Sequence, residues 1–184
     1  MKFFKIPVLA VFLALIIILS STVLSVNVKL NAKSRAITDS FYSGVRYEGY
    51  THPSISTQLS NICGAADGLV TLANNYDIDT GSVTLASREL KSALSNSSIP
   101  YLYSLYLDLM NEVNTLMDQL DRTDLTERDR SGLSEYGSTI VGAQSMIESS
   151  GYNESVRTFL REQLRFPADV MADLTGVSIP ELFA

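Results

Sequence analysis

The chain has 184 residues, a formal net charge of −6 at neutral pH and a single cysteine, Cys63. One cysteine excludes a fold held together by disulfides within the chain. The acidic balance and the scattered basic residues argue against nucleic-acid binding, and the sequence has no motif for a cofactor, a phosphate loop or a catalytic nucleophile.

Residues 6–26 form an almost unbroken apolar run without a charge, IPVLAVFLALIIILSSTVLSV, after a short basic N-terminus at 1–5. A helix of about 20 residues spans the roughly 30 Å hydrocarbon core of a bilayer. We therefore predict a transmembrane helix over 6–26 that anchors a single-pass protein in the lipid bilayer of the cell membrane. A cleaved signal peptide is the alternative, because the N-terminus is basic and Val23 and Ser25 suit the positions before a cleavage site.

The chain beyond the apolar run is acidic. Lys2 and Lys5 are the only charged residues before Asn27, so 12 basic and 20 acidic residues follow, a formal charge of −8. Such acidity keeps a domain soluble and away from anionic lipid headgroups. Basic residues lie on both sides of the run and give little bias under the positive-inside rule. The similarity to signal-led export favours the exocytoplasmic side for this domain.

Apolar residues after the run recur every three or four positions, which is typical of amphipathic helices. We predict an all-α fold, in which the N-terminal transmembrane helix precedes an antiparallel bundle of three to four long helices over 27–167 and a C-terminal tail over 168–184. The first amphipathic stretch, 29–47, is expected to continue directly from the membrane span and to end near Gly49.

Breaker residues set the limits of the next helices. Pro53 is expected in the first turn of the second helix and Asn74-Asn75 at its end. A third helix is predicted over 83–94. The fourth begins at Pro100 and has the most regular apolar stripe, which is typical of coiled-coil-like packing. The stripe consists of Leu102, Leu105, Leu109, Val113, Leu116 and Leu120.

The last long helix is predicted to begin after an N-cap at Thr126, because acidic residues follow this position near the positive end of the helix dipole. Apolar residues from Leu133 to Leu164 keep the helical spacing on both sides of Gly151. We expect Gly151 to soften this helix rather than end it, and Pro167 to stop it.

Two C-terminal regions have the spacing of a known family. The first region contains Tyr152-Asn153-Glu154-Ser155-Val156-Arg157 followed by Leu164-Arg165-Phe166-Pro167, and the second contains Leu174-Thr175-Gly176-Val177 and Pro180-Glu181-Leu182-Phe183. They resemble the last long helix and the short tail of the LemA family, whose single N-terminal membrane helix also agrees. The family's Arg-Arg-x-Asp motif is absent from residues 50–59. The resemblance implies a membrane-anchored antiparallel helical bundle and no known catalytic activity.

Some residues have the chemistry of a site but also a simpler explanation. His52, the single histidine, lies in a Thr-His-Pro turn, where a solvated side chain is expected. Residues 77–81 begin like a calcium loop but lack its later glycine and glutamate, so a helix connection is favoured. Acidic residues near one helix connection are interpreted as a solvated bundle tip; they are Asp118, Asp121, Asp124, Glu127 and Asp129. No metal site, cofactor site or catalytic residue is predicted.

Two features suggest a partner surface. Tyr103 lies off the apolar stripe of its helix and is a candidate for contact with another protein. Three basic residues recur every four positions and share one face of an α-helix; they are Arg157, Arg161 and Arg165. Ion pairs with Glu154 and Glu162 within the helix are the simpler interpretation, and a strip that binds an acidic surface or a lipid headgroup is the alternative.

The sequence favours a membrane-anchored, non-enzymatic helical bundle of the LemA type. Its function would be that of an interaction or scaffold module at the cell envelope, binding another envelope protein or further copies of itself. The alternative is an accessory or regulatory subunit of a membrane-bound enzyme, such as a protease or a sensor kinase. A hydrolase with an unrecognised site would require His52 or the acidic residues to lie in a pocket.

Overall fold

The computed structural model describes residues 5–47, 50–165 and 168–184, without the side chains of 5–9, 19, 46–47 and 50–52. The chain forms two compact units: unit 1 contains Met1–Ile37 and Ser155–Pro180, and unit 2 contains Thr38–Glu154 and Glu181–Ala184. Helices dominate both units, so the predicted all-α class is confirmed. The predicted domain limits at 26/27 and 167/168 stay predictions.

Helix α1 runs without interruption over Lys5–Ser43. The prediction that the membrane span and the first amphipathic stretch form one helix is therefore confirmed. The helix ends at Gly44 rather than near Gly49. Gly44 has a φ of 72°, in the left-handed region, and its N–H donates to the carbonyl of Ser40 at 3.0 Å. This is the geometry of a glycine C-cap, which glycine adopts without a Cβ clash.

A short antiparallel hairpin follows α1. Strand β1, Val45–Tyr47, pairs with strand β2, Tyr50–His52, in a register that sets Val45 opposite His52. The sequence did not predict this hairpin, because three residues per strand are too few to show an alternating pattern. Because the hairpin is so short, unit 2 remains predominantly helical.

Four helices form the bundle of unit 2. They are α2 Ile55–Asn74, α3 Gly81–Ala93, α4 Ile99–Asp121 and α5 Glu127–Ser149. Helix α2 packs mainly against α5 and α3, and α4 packs mainly against α3. All six residues of the predicted α4 stripe are at most 6 % exposed, so the stripe faces the core as expected. The predicted bundle of three to four long helices is confirmed.

The helix starts follow local capping chemistry. The Ser54 hydroxyl accepts the Thr57 N–H at 3.0 Å, so Pro53 precedes the cap of α2 instead of lying in its first turn. The Thr126 hydroxyl accepts the Asp129 N–H at 3.2 Å, which confirms the predicted N-cap of α5. Each of these caps satisfies a backbone donor that the helix itself leaves unpaired.

Gly151 separates two helices, so the expectation that it only softens one long helix is wrong. Its φ of 68° places it in the left-handed region, between the end of α5 at Ser149 and the start of α6, Tyr152–Thr158. A π-helical turn, Phe159–Gln163, follows α6. The predicted stop at Pro167 lies outside the described residues.

Unit 1 has its own small apolar core. Its buried members are Leu30 of α1, Phe159 of the π-helical turn, Ala172 of α7 (Ala168–Thr175) and Val177. The Ser34 hydroxyl donates to the carbonyl of Ser178, and Lys33 donates to the Gln163 side chain at 3.0 Å. These contacts fix the chain after α7 up to Ser178.

Candidate functional site

The N-terminal part of α1 presents apolar side chains to the surroundings on every side. Seven of them are 45–64 % exposed; they are Val11, Phe12, Leu13, Leu15, Ile16, Ile17 and Ile18. An α-helix turns once per 3.6 residues, so the four consecutive residues from Leu15 to Ile18 point all around it. The most apolar 18-residue window has a mean hydropathy of 2.4. By length and composition, α1 can cross a membrane.

A second apolar surface lies in unit 2, in an open groove of about 780 Å³ along α4 and α5. Its floor includes Met117 of α4 and Leu133 and Gly137 of α5. Val141 lines it as well and is 64 % exposed. Asp121 and Arg130 add one charge of each sign. Ser134 and Ser138 also line the groove, so apolar and polar side chains alternate in its lining with two small glycines.

The C-terminal residues of the chain occupy an aromatic pocket in unit 2. The Phe183 ring is 4 % exposed. Its centroid lies 5.0 Å from Tyr103, 5.5 Å from Phe41 and 5.7 Å from Tyr106. Aromatic pairs at such distances contribute beyond the area that they bury. We refer to Glu181–Ala184 as the tail segment and to the residues that hold it as the tail pocket.

Asn153 pairs with the backbone of the tail segment through both ends of its amide. Its Nδ2 donates to the Phe183 carbonyl at 2.8 Å, and its Oδ1 accepts the Phe183 N–H at 2.9 Å. The amide thus satisfies both main-chain groups of one residue, as a neighbouring strand would. Asn153 therefore binds the backbone of the tail segment, and this contact does not depend on the Phe183 side chain.

Tyr152 and Glu181 fix the other end of the tail segment. The Tyr152 hydroxyl donates to the Glu181 carbonyl at 2.7 Å, and the Glu181 carboxylate accepts the Ile99 N–H at 3.1 Å. Ile99 is the first residue of α4, so the carboxylate lies where the helix dipole favours a negative charge. Burial raises the pKa of Tyr152 far above its usual value, with Tyr42 and Glu181 adding to the shift, so Tyr152 remains a donor at physiological pH.

The structure places the predicted partner residue Tyr103 in this pocket. Tyr103 is half-buried, and its ring makes an edge contact with Phe183. It therefore lies against a peptide segment, although that segment comes from the same chain. Whether another protein contacts Tyr103 stays a prediction.

The three predicted arginines are exposed and lie in different backbone environments. Arg157 belongs to α6, Arg161 to the π-helical turn and Arg165 to the segment after it. The shared face of these three arginines and its role as a partner surface stay predictions. The Arg161 guanidinium lies 3.7 Å from Glu162, and Arg165 Nε donates to the Arg161 carbonyl at 2.7 Å.

The remaining candidates have these surroundings. The side chain of His52 lies outside the described residues. Asp77 adopts a φ of 54° in the connection between α2 and α3. Asp129 accepts hydrogen bonds from Tyr76 at 2.5 Å and from the Thr126 hydroxyl at 2.8 Å, and these bonds lower its pKa. Among the described residues, no group of three or more His, Cys, Asp or Glu is arranged to hold a metal ion.

Cys63 of α2 is buried. It has no exposed surface, and burial raises its pKa to about 11 although Lys91 and Ser87 act in the opposite direction. A thiol in that state is protonated at neutral pH and reacts slowly. The nearby Asp67 carboxylate accepts the Ser87 hydroxyl at 2.9 Å and pairs with Lys91, so these polar groups join α2 to α3.

Comparisons with known proteins give no relative: no family model, no curated protein and no solved structure matches this chain. The LemA resemblance stays a prediction. Tyr152 and Asn153 from the first of the two regions contact Glu181 and Phe183 from the second within unit 2.

Sequence reasoning did not identify the tail pocket. Asn153 and Phe183 were quoted only as parts of a family pattern, and their contact spans 30 residues of the chain. A usable signal was the presence of an aromatic residue and an acidic residue at alternate positions after Pro180. That pattern is typical of a short extended segment with one face bound.

Proposed function

We propose that this chain is a membrane-anchored, non-enzymatic helical bundle of the LemA type that acts as an interaction or scaffold module at the cell envelope. The observation that supports it best is α1, whose N-terminal half is apolar and exposed on every side. Burying this surface in lipid is favourable, whereas leaving it in water is costly. The same helix continues to Ser43, and its residue Phe41 is fully buried in unit 2.

The groove along α4 and α5 supports the interaction role. Val141 is 64 % exposed in the groove beside Met117, Leu133 and Gly137, so a large apolar side chain lies open to solvent there. Exposed apolar surface with a polar rim is typical of protein-binding surfaces. We propose that an envelope protein or another copy of the chain covers this groove, with unit 2 on the exocytoplasmic side.

The anchoring part of the proposal is tested by membrane fractionation of the full chain. We expect it to stay in membranes after alkaline carbonate extraction, with an intact N-terminus by mass spectrometry. A mature chain that lacks the first 25 or so residues would identify a cleaved signal peptide and contradict the anchor. A fusion of an exocytoplasmic reporter enzyme to the C-terminus tests the proposed side.

The interaction part is tested by affinity purification of the tagged chain from detergent-solubilised membranes. We expect Val141→Glu to reduce co-purification of the partner at least about tenfold, because a charge then replaces the exposed apolar side chain of the groove. Leu85→Glu is the matched control, since Leu85 on α3 is 55 % exposed and does not line the groove. Equal recovery of partners by both variants would contradict the groove as the surface.

The same experiment separates the proposal from its alternative. A single stoichiometric enzyme, such as a protease or a sensor kinase, would make the chain an accessory or regulatory subunit. Several envelope proteins, or only further copies of the chain, would support the scaffold role. Hydrolytic activity in the purified chain that Val141→Glu leaves unchanged would contradict the non-enzymatic assignment.

A further inference from the structure

We propose that the tail pocket is a peptide-binding site whose ligand is an extended segment of another protein, with an acidic residue two positions before an aromatic one. The tail segment is the intramolecular occupant that this ligand displaces. The proposal rests on the proposed role as an interaction module and names a second surface for it.

The tail pocket binds the backbone of the tail segment through two side chains. Asn153 donates to the carbonyl and accepts from the N–H of the same residue, Phe183, and Tyr152 donates to the carbonyl of Glu181. Peptide sites that extend a sheet edge work in the same way, since main-chain pairing gives affinity and alternate side-chain pockets give specificity. Here two side chains replace the sheet edge.

Alternate residues of the tail segment supply the specificity. Glu181 places its carboxylate at the N-terminus of α4, 3.1 Å from the Ile99 N–H. Phe183 fills the aromatic pocket and is 4 % exposed. Leu182 between the two anchors is half-buried, and Ala184 after them is exposed. The two anchors therefore define the ligand as a segment with an acidic residue two positions before an aromatic one.

The geometry favours a partner protein over the tail of a second copy. In each copy the tail segment already occupies the pocket of its own chain, where Tyr152 and Asn153 bind it, so a second copy offers no free segment. Because it belongs to the same chain as the pocket, the tail segment competes with an incoming segment at an effective concentration in about the millimolar range.

The test uses the full chain in detergent and a fluorescent peptide with the sequence of residues 178–184. Acetylation and amidation remove its terminal charges. In the wild type the tail segment competes, so we expect weak binding by fluorescence anisotropy. Phe183→Ala removes the competing ring and should tighten peptide binding at least about tenfold. Adding Asn153→Ala to this variant should weaken binding at least about tenfold, because the backbone contacts are lost.

Matched controls keep the proposal falsifiable. A peptide with alanine in place of its phenylalanine should not bind any variant. Glu181→Gln is a milder opening variant, because it keeps the ring in place, and it should tighten binding severalfold if Phe183→Ala proves unfolded by circular dichroism. Equal peptide affinity in the wild type and in a folded opening variant would overturn the proposal.

Mixing differently tagged Phe183→Ala and Asn153→Ala chains gives the last discrimination. Only the first has a free pocket and only the second an intact tail, so their co-purification, reversed by the peptide, would assign the site to a second copy and overturn the partner assignment. We expect no co-purification. If the chain binds the peptide but is released from membranes by alkaline carbonate, the proposed membrane anchor is contradicted and the proposed peptide site is not.

Discussion

Helices α1 and α4 are both rich in large aliphatic residues, yet these residues are exposed in the N-terminal part of α1 and buried in the stripe of α4. From Val11 to Ile18 of α1 the described large apolar side chains are 45–64 % exposed, whereas from Leu102 to Leu120 of α4 the stripe residues are at most 6 % exposed. The difference lies in their arrangement. In α4 apolar residues recur every three or four positions between polar ones, and in α1 they are consecutive.

The comparison shows that the order of apolar and polar residues along a helix decides which surroundings the helix needs. A stripe can be buried against other helices while the opposite face stays in water. A helix that is apolar on every side needs apolar surroundings on every side, and a bilayer provides them. Four experiments test how the residue pattern and the packing of the helices set stability, from the largest expected effect to the smallest.

The largest effect is expected for Leu15→Lys combined with Ile17→Lys in α1. Each lysine near the middle of a span costs about 2.5–3.5 kcal/mol of insertion free energy. The full chain should leave the carbonate-resistant membrane fraction, measured by immunoblotting. Alanine at the same two positions is the matched control and should leave the chain in the membrane. Continued membrane retention of the lysine variant would show that α1 does not span the bilayer.

The reverse test places a charge in the stripe of α4. Leu109 is fully buried, so Leu109→Asp should destabilise unit 2 by about 4 kcal/mol or more, because the carboxylate finds no partner in the core. Leu107→Asp is the control on the same helix, since Leu107 is 46 % exposed, and it should change stability by about 0.5 kcal/mol or less. Thermal unfolding followed by circular dichroism measures both. Similar melting temperatures for the two variants would refute the buried stripe.

A pair of glycines in α2 extends the contrast to a single helix. A Cβ at Gly68 would lie 2.4 Å from Cε1 of Tyr136, whereas a Cβ at Gly64 meets nothing within 4 Å. Gly68→Ala should destabilise the bundle by about 1–3 kcal/mol, because the Tyr136 ring must move. Gly64→Ala should stabilise it by about 0.5–1 kcal/mol, because alanine favours the helix. Chemical denaturation gives both values, and a loss of stability in both variants would contradict this packing.

The smallest effect concerns charge at the start of α5. The hydrogen bond from Tyr76 lowers the pKa of Asp129, followed by that from Thr126. Because the pKa of Asp129 is lower in the folded state than in the unfolded state, ionised Asp129 stabilises the fold at pH values above the usual Asp pKa near 3.9. This contribution is lost as the pH falls through the folded-state pKa. Tyr76→Phe should raise the Asp129 pKa, measured by carboxyl NMR titration. An unchanged titration would show that the Tyr76 bond does not form in solution.

Local rules in the sequence predicted much of the bundle. The α4 stripe needed only helical spacing, and the Thr126 cap needed only the preference of a hydroxyl for unpaired N–H groups. Gly151 was misjudged because glycine is compatible with both a helix interior and a left-handed break. The sequence around Gly151 does not specify its φ of 68°, because this angle depends on the position at which α6 starts.

The tail pocket could not be predicted in the same way. Asn153 and Phe183 are 30 residues apart, and neither shows from its neighbours that it will pair with the other. Tyr103 was selected because it lies off the stripe, and it proved to be half-buried against Phe183. Spacing along one helix identifies a face but not what covers it.

The sequence by itself determined the helical class, the apolar helix at the N-terminus and the buried stripe of α4, because each depends on the order of apolar and polar residues along one helix. Only the tertiary structure decided the break at Gly151, the groove along α4 and α5 and the occupation of the tail pocket by Phe183. These depend on contacts between distant parts of the chain, whose free energy exists only once the helices are packed.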